Sequence, residues 1–219
     1  MELNKWVSNN PDLLNDSKTE EYIFISNQPT VKALGLLWRP SSDCFNFKLS
    51  EQFYKREILS SITRLFDPLG LVSPVITKTK TFLQEIWKNK LDWDDHIPSS
   101  ELKVWLKFLK QLPEINKLEI PRFILMPEAI IIDLHGFCDA SEKAFGAVIY
   151  IVSKATDGAV KTSLLCSKSR VCPIKALTIP RLELSAALLL ARLVAKLLVI
   201  LQIQFNGIYL WSDSTIVLA

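Results

Sequence analysis

The sequence predicts an α+β protein: a mixed sheet crossed by one long helix, preceded by a helical segment and a short antiparallel β meander. Three observations carry this. Residues 130–139, 144–152 and 160–167 are runs of apolar and β-branched side chains joined by short links. A long apolar stretch at helical spacing follows, opened by Pro180 and reaching about Gln202. A further strand-like run, Gly207 to Trp211, comes after it. The 219 residues leave room for one large domain or two small ones. Hydrophobic residues make up 49% and charged residues 22%, so wholesale disorder is set aside.

Taken in order, residues 22–26 and 31–38 read as strands separated by the turn-prone Asn27-Gln28-Pro29. Pro40-Ser41-Ser42-Asp43 turns the chain into a strand over 44–49, completing the meander. Residues 55–66 place Ile58, Ile62, Leu65 and Phe66 at helical spacing, and Asp67-Pro68-Leu69-Gly70 breaks that helix. Ser73 before Pro74 signals an N-cap and a helix to about Lys90. Ser100 signals another over 101–112, stopped by Pro113. Beyond it the three strand runs pair as an antiparallel meander because their links are short. Ser214 begins a last helix.

Charge alternates along the chain. Residues 55–90 carry seven basic and three acidic side chains, and residues 129–219 carry nine and six. The net charge of +3 permits a polyanionic partner without requiring one. Four cysteines without CxxC spacing and only two histidines exclude a zinc knuckle and point to a reduced, intracellular protein, cytoplasmic or nuclear. The start, Met-Glu-Leu-Asn-Lys-Trp, has no apolar core of a signal peptide. The stretch 182–203 holds Glu183, Arg192 and Lys196, so it reads as a buried helix with no role in a membrane.

Three acids stand out by position: Asp139 at the end of the first strand of the main sheet, Glu183 in the first turn of the crossover helix, and Asp213 where the fourth strand ends. Each sits among apolar neighbours, where an ionised carboxylate needs a cation or a donor. Oxygen ligands converging from two strand ends and a helix suit Mg²⁺. Each also has a plainer reading. Asp139 fits a turn, Glu183 fits the positive end of a helix dipole, and Asp213 fits an N-cap.

The strings Leu134-His135-Gly136-Phe137-Cys138-Asp139-Ala140-Ser141, Ile179-Pro180-Arg181-Leu182-Glu183-Leu184 and Trp211-Ser212-Asp213-Ser214 resemble the ribonuclease H domain of Pao/BEL-type LTR retrotransposon Pol polyproteins. So do Phe66-Asp67-Pro68-Leu69-Gly70-Leu71-Val72-Ser73-Pro74, Leu34-Gly35-Leu36-Leu37-Trp38 and Lys5-Trp6-Val7-Ser8-Asn9. The resemblance implies that residues 1–54 are the end of a reverse transcriptase palm, 55–128 a thumb and connection, and 129–219 part of a ribonuclease H-like domain. It implies Asp139, Glu183 and Asp213 as catalytic metal ligands, with two Mg²⁺ ions in an intact site. The implied activity is hydrolysis of the RNA strand of RNA–DNA hybrids. A polymerase Tyr/Phe-x-Asp-Asp motif is absent, and the family pattern has a fifth strand and a fourth acid beyond Ala219. The expectation is therefore a sheet of four strands out of five and an impaired nuclease.

An alternative from another class is a non-catalytic nucleic-acid-binding or assembly module that associates with other Pol segments. For nucleic acid, Lys55, Arg56, Arg64, Lys78 and Lys80 are the candidate phosphate contacts. A retrotransposon aspartic peptidase is disfavoured, because Asp139-Ala140-Ser141 and Asp213-Ser214-Thr215 both lack the Gly of Asp-Thr/Ser-Gly. His135, four strand residues before Asp139, lies about 13 Å away and reads as structural. Cys138 reads as a core residue beside the site, and the six tryptophans read as core.

Overall fold

In a computed structural model, the protein is described over residues 31–33, 36–46, 67–90 and 97–219. The strand expected at 22–26 and the helix expected at 55–66 lie outside these residues. The described chain is α+β, with two four-stranded sheets and helices against them. Among the described residues, no helix is long and apolar enough to cross a membrane.

The small sheet is antiparallel, in the order β1 (Val31–Ala33), β2 (Leu36–Arg39), β3 (Cys44–Asn46), β4 (Ile120–Pro121). Val31 faces Trp38 and Ala33 faces Leu36, so the single strand expected over 31–38 is two strands of a hairpin. Strand β4 was not apparent from the sequence, because two residues carry no periodicity. It is held by Asp43, whose carboxylate accepts from Arg122 Nε at 2.6 Å and from Trp38 Nε1 at 3.0 Å.

Helices α1 (Ser73–Lys88) and α2 (Ser99–Gln111) pack through Phe82, Ile86, Trp105 and Phe108. The Phe82 and Trp105 rings stack with centroids 4.9 Å apart. Neither Ser73 nor Ser100 caps its helix; Val72 and Pro98 hold those positions without side-chain bonds. Ahead of α1 the work of a cap falls to Asp67, whose two carboxylate oxygens accept the Leu71 and Val72 N–H groups, each at 2.8 Å. The α-helix ends at Gln111, just ahead of Pro113, as expected. Pro113 sits early in a 3₁₀ segment, Leu112–Lys117, where a missing N–H costs nothing.

The main sheet runs in the order β7 (Val160–Val171), β6 (Ala144–Ala155), β5 (Ala129–Ala140), β8 (Gly207–Trp211). Strands β5, β6 and β7 are the expected antiparallel meander. Strand β8 pairs parallel to β5, with His135 opposite Tyr209 and Phe137 opposite Trp211. A parallel pair needs a crossover, supplied by α3 (Ile179–Ile200). Leu182, Ala186, Leu189, Leu190 and Val194 form the buried stripe of α3. They pack on Leu134, Cys138, Ala147, Ile149, Ile151 and Cys166 of the sheet. Each fully buried large aliphatic side chain contributes about 1.5–3 kcal/mol. Gly136 is part of this packing, since a Cβ there would lie 2.7 Å from Leu190 Cδ1.

The free edge of β7 receives the segment before α1. Leu69 O accepts the Ser167 N–H at 2.8 Å, the Ser167 hydroxyl donates to Gly70 O, and Thr77 bonds Ser169. Gly70 has φ +73°, and a Cβ there would lie 1.9 Å from Ser167 O. This explains the Asp67-Pro68-Leu69-Gly70 string: an Asp that closes the turn and a Gly that lets it meet β7 backbone to backbone. Gly70→Ala therefore loses both the left-handed turn and the contact. Its expected cost exceeds about 1 kcal/mol, lowering the melting temperature by several degrees in a thermal melt.

Candidate metal centre

Asp139 is the penultimate residue of β5, directly opposite Gly146 of β6. Its Oδ1 accepts the Ala140 N–H at 2.7 Å. The next turn is closed by Ser141, whose hydroxyl donates to Ala144 O at 2.9 Å. Asp213 follows β8 by two residues. Because β5 and β8 are parallel, their C-terminal ends lie side by side, and both aspartates stand at one rim of the sheet. Glu183 comes from the first turns of α3, buried beside Leu182 where the helix packs on the sheet. Asp213 does not cap the last short helix, α4 (Thr215–Leu218), where Ser214 holds that position.

Oxygens of Asp139, Glu183 and Asp213 lie within 4.8 Å of one another. Asp139 and Asp213 are exposed, whereas Glu183 is only 9% exposed. Glu183 Oε2 is buried and, among the described residues, has no hydrogen-bond partner. Burial, with the charges of Asp139 and Asp213 adding to it, pushes the Glu183 carboxyl above its ordinary range. Among the described residues, no lysine, arginine or histidine forms a salt bridge with any of the three. Three clustered carboxylates, one aimed inward without a donor, fit a hard divalent cation. Cys138 adjoins the cluster, but its thiol faces Trp211 O at 3.7 Å and burial raises its pKa, so the donor set is oxygen alone.

Of the expected phosphate contacts, Lys78 and Lys80 are exposed on α1, with Lys78 Nζ 5.4 Å from the Phe108 ring centre. Lys55, Arg56 and Arg64 lie outside the described residues. His135 stays out of the cluster: its ring stacks on Tyr209 at 4.9 Å, and its Nδ1 accepts from Trp211 Nε1 at 3.3 Å.

The tryptophans need a correction. Trp105 is core, but Trp87 and Trp211 are 56% and 50% exposed. Trp211 stacks on Phe137, and both rings line a groove of about 1010 Å³ that runs from Asp139 and Asp213 to Gly70 and Thr77. The signal for this was present as spacing. Phe137-x-Asp139 puts that ring on the same strand face as its acid, and Trp211 ends β8 two residues before Asp213.

A mixed sheet of this order, a crossover helix on one face and acids meeting at the rim define a ribonuclease H-like protein. The chain belongs to the Pao retrotransposon-like RNaseH-like domain family, whose profile matches residues 54–214. Among solved structures it is similar to the foamy viral protease-reverse transcriptase dRH in complex with double-stranded DNA. The two are 14% identical, the match covers 86% of this chain and 32% of that one, and the TM-score is 0.38. A second structure of foamy viral protease-reverse transcriptase with double-stranded DNA is 13% identical, covered at 85% and 37%, with a TM-score of 0.38. The chain thus spans about a third of the length of those proteins. No curated protein matches it.

The raised Glu183 pKa has a definite sign. The folded chain holds that proton more tightly than the unfolded one, so without metal, stability falls as pH rises through the carboxylate range and stays lower above it. Glu183→Gln removes the buried charge. It is expected to raise the metal-free melting temperature at neutral pH by about 2–4 °C, while abolishing stabilisation by added Mg²⁺. Melting curves with EDTA and with Mg²⁺ measure both effects.

Proposed function

We propose that this chain carries the nuclease site of a retrotransposon Pol protein and that its chemistry is hydrolysis of the RNA strand of RNA–DNA hybrids. The observation that supports this most is the convergence of Asp139, Glu183 and Asp213, with Glu183 Oε2 left without a donor. Asp139, Glu183 and Asp213 would together hold the Mg²⁺ that the chemistry needs. Bound there, Mg²⁺ supplies a Lewis acid for the phosphodiester and lowers the pKa of water.

The chain's own groups do the rest. Glu183, anchored by a packed helix, offers a rigid carboxylate whose position does not depend on solvent. The Ala140 N–H orients Asp139. The two exposed aspartates leave the rim open to a strand arriving from solvent. The RNA 2′-hydroxyls and the groove shape of the hybrid are what such a site has to read. The four free cysteines support an intracellular setting, cytoplasmic or nuclear.

A second reading, a binding or assembly module working with other Pol segments, is favoured by the exposed lysines of α1 and shares the same partner. Incubation of the purified chain with an RNA–DNA hybrid separates the two. The nuclease reading expects Mg²⁺-dependent cleavage, reduced at least about a hundredfold in Asp139→Asn. Hybrid binding without cleavage by the folded wild-type chain would leave the module reading in its place.

A further inference from the structure

Helices α1 and α2 together carry six lysines and two glutamates. Both glutamates are engaged locally: Glu85 with Lys143 at 3.4 Å, and Glu101 with Ser100 and Asn89. The solvent side of α2 is of one sign. Lys103, Lys107 and Lys110 follow the spacing i, i+4, i+7, which places them along one helix face, opposite the buried Trp105 and Phe108. All three are exposed, and among the described residues none of them pairs with a carboxylate. From Lys103 to Lys110 the helix rises about 10 Å.

An ordinary solvated helix face mixes both signs, with acids near its start and bases near its end. The helix dipole accounts for Lys110, in the last turn. It gives no reason for Lys103, in the first half of the helix, or for Lys107, ahead of the last turn. Exposed Val104 and Leu106 flank the stripe, a surface that gains from being covered.

We infer that Lys103, Lys107 and Lys110 form a phosphate-binding track for the backbone of a nucleic-acid duplex. The inference rests on the reading of the chain as one that handles nucleic acid, but it concerns a surface separate from the acid cluster. Flexible ammonium groups at this spacing neutralise neighbouring phosphates without reading bases. Binding through them is therefore sequence-independent and salt-sensitive. The track adds to Lys78 and Lys80, which α1 presents on the helix pair.

The test uses the full chain, a fluorescent RNA–DNA hybrid and EDTA, so that binding is measured apart from cleavage. In the combined variant Lys103→Ala, Lys107→Ala, Lys110→Ala, affinity at about 50 mM KCl is expected to fall at least about tenfold. The slope of log affinity against log salt is expected to flatten by about 2–3. Lys117→Ala is the control, because Lys117 is already paired with Glu114 at 2.7 Å. Circular dichroism checks that each variant is folded. Affinity within about twofold of wild type and an unchanged slope would overturn the track, as would an equal loss in the control. So would a stripe that binds phosphatidylserine vesicles while hybrid affinity stays unchanged. A chain that still cleaves hybrid when the track fails leaves the nuclease reading standing. A chain that binds through the track but never cleaves sinks that reading alone.

Discussion

The parallel pairing of β8 with β5 is the constraint from which the rest of this protein follows. Two parallel neighbours cannot be joined by a hairpin, so the chain must cross the sheet, and α3 is that crossing. Its apolar stripe is buried on one face, against Leu134, Ile149 and Ile151. The same pairing sets Asp139 and Asp213 side by side, because parallel strands end at the same rim. The start of α3 then delivers Glu183 to that rim from the helix side. One topological choice thus builds the core and gathers the acids.

That gathering works against stability. Three carboxylates within 4.8 Å repel one another, and Glu183 has also lost its water. A scaffold tolerates this only where the surrounding packing is strong enough to hold it. Here Leu182, Ala186 and Leu190 bury completely or nearly so within two turns of Glu183, and Gly136 lets the helix approach the sheet closely. A divalent cation is the natural counterpart of the three carboxylates.

At the far edge of the sheet, the segment from Asp67 to Ser73 docks on β7. Its hydrogen bonds to Ser167, and the bond from Thr77 to Ser169, tie the helix pair to the main sheet. The wall of the groove that begins at Asp139 and Asp213 is made by this docking.

Much of this was legible in the order of residues. Strands β5, β6 and β7 and the helix α3 could be read because period and burial agree over 12 residues or more in each. The three acids could be singled out because they punctuate those elements. The hairpin within 31–38, the two-residue strand β4 and the uncapped starts of α1 and α2 could not be read. Local signals were short there: a distant partner, Arg122, fixes Asp43, and Asp67 rather than a serine bonds the N–H groups ahead of α1. Trp211 was misread for the same reason, since exposure depends on which face another element covers. The amino-acid sequence by itself determined the periodicity, the chain order of the elements and the identity of the acids, all properties of near neighbours. Only the tertiary structure decided that the acids meet and that, among the described residues, Glu183 Oε2 lacks a partner and the lysines of α2 form no salt bridge. Those are relations between residues far apart in the chain, set by strand pairing and helix packing.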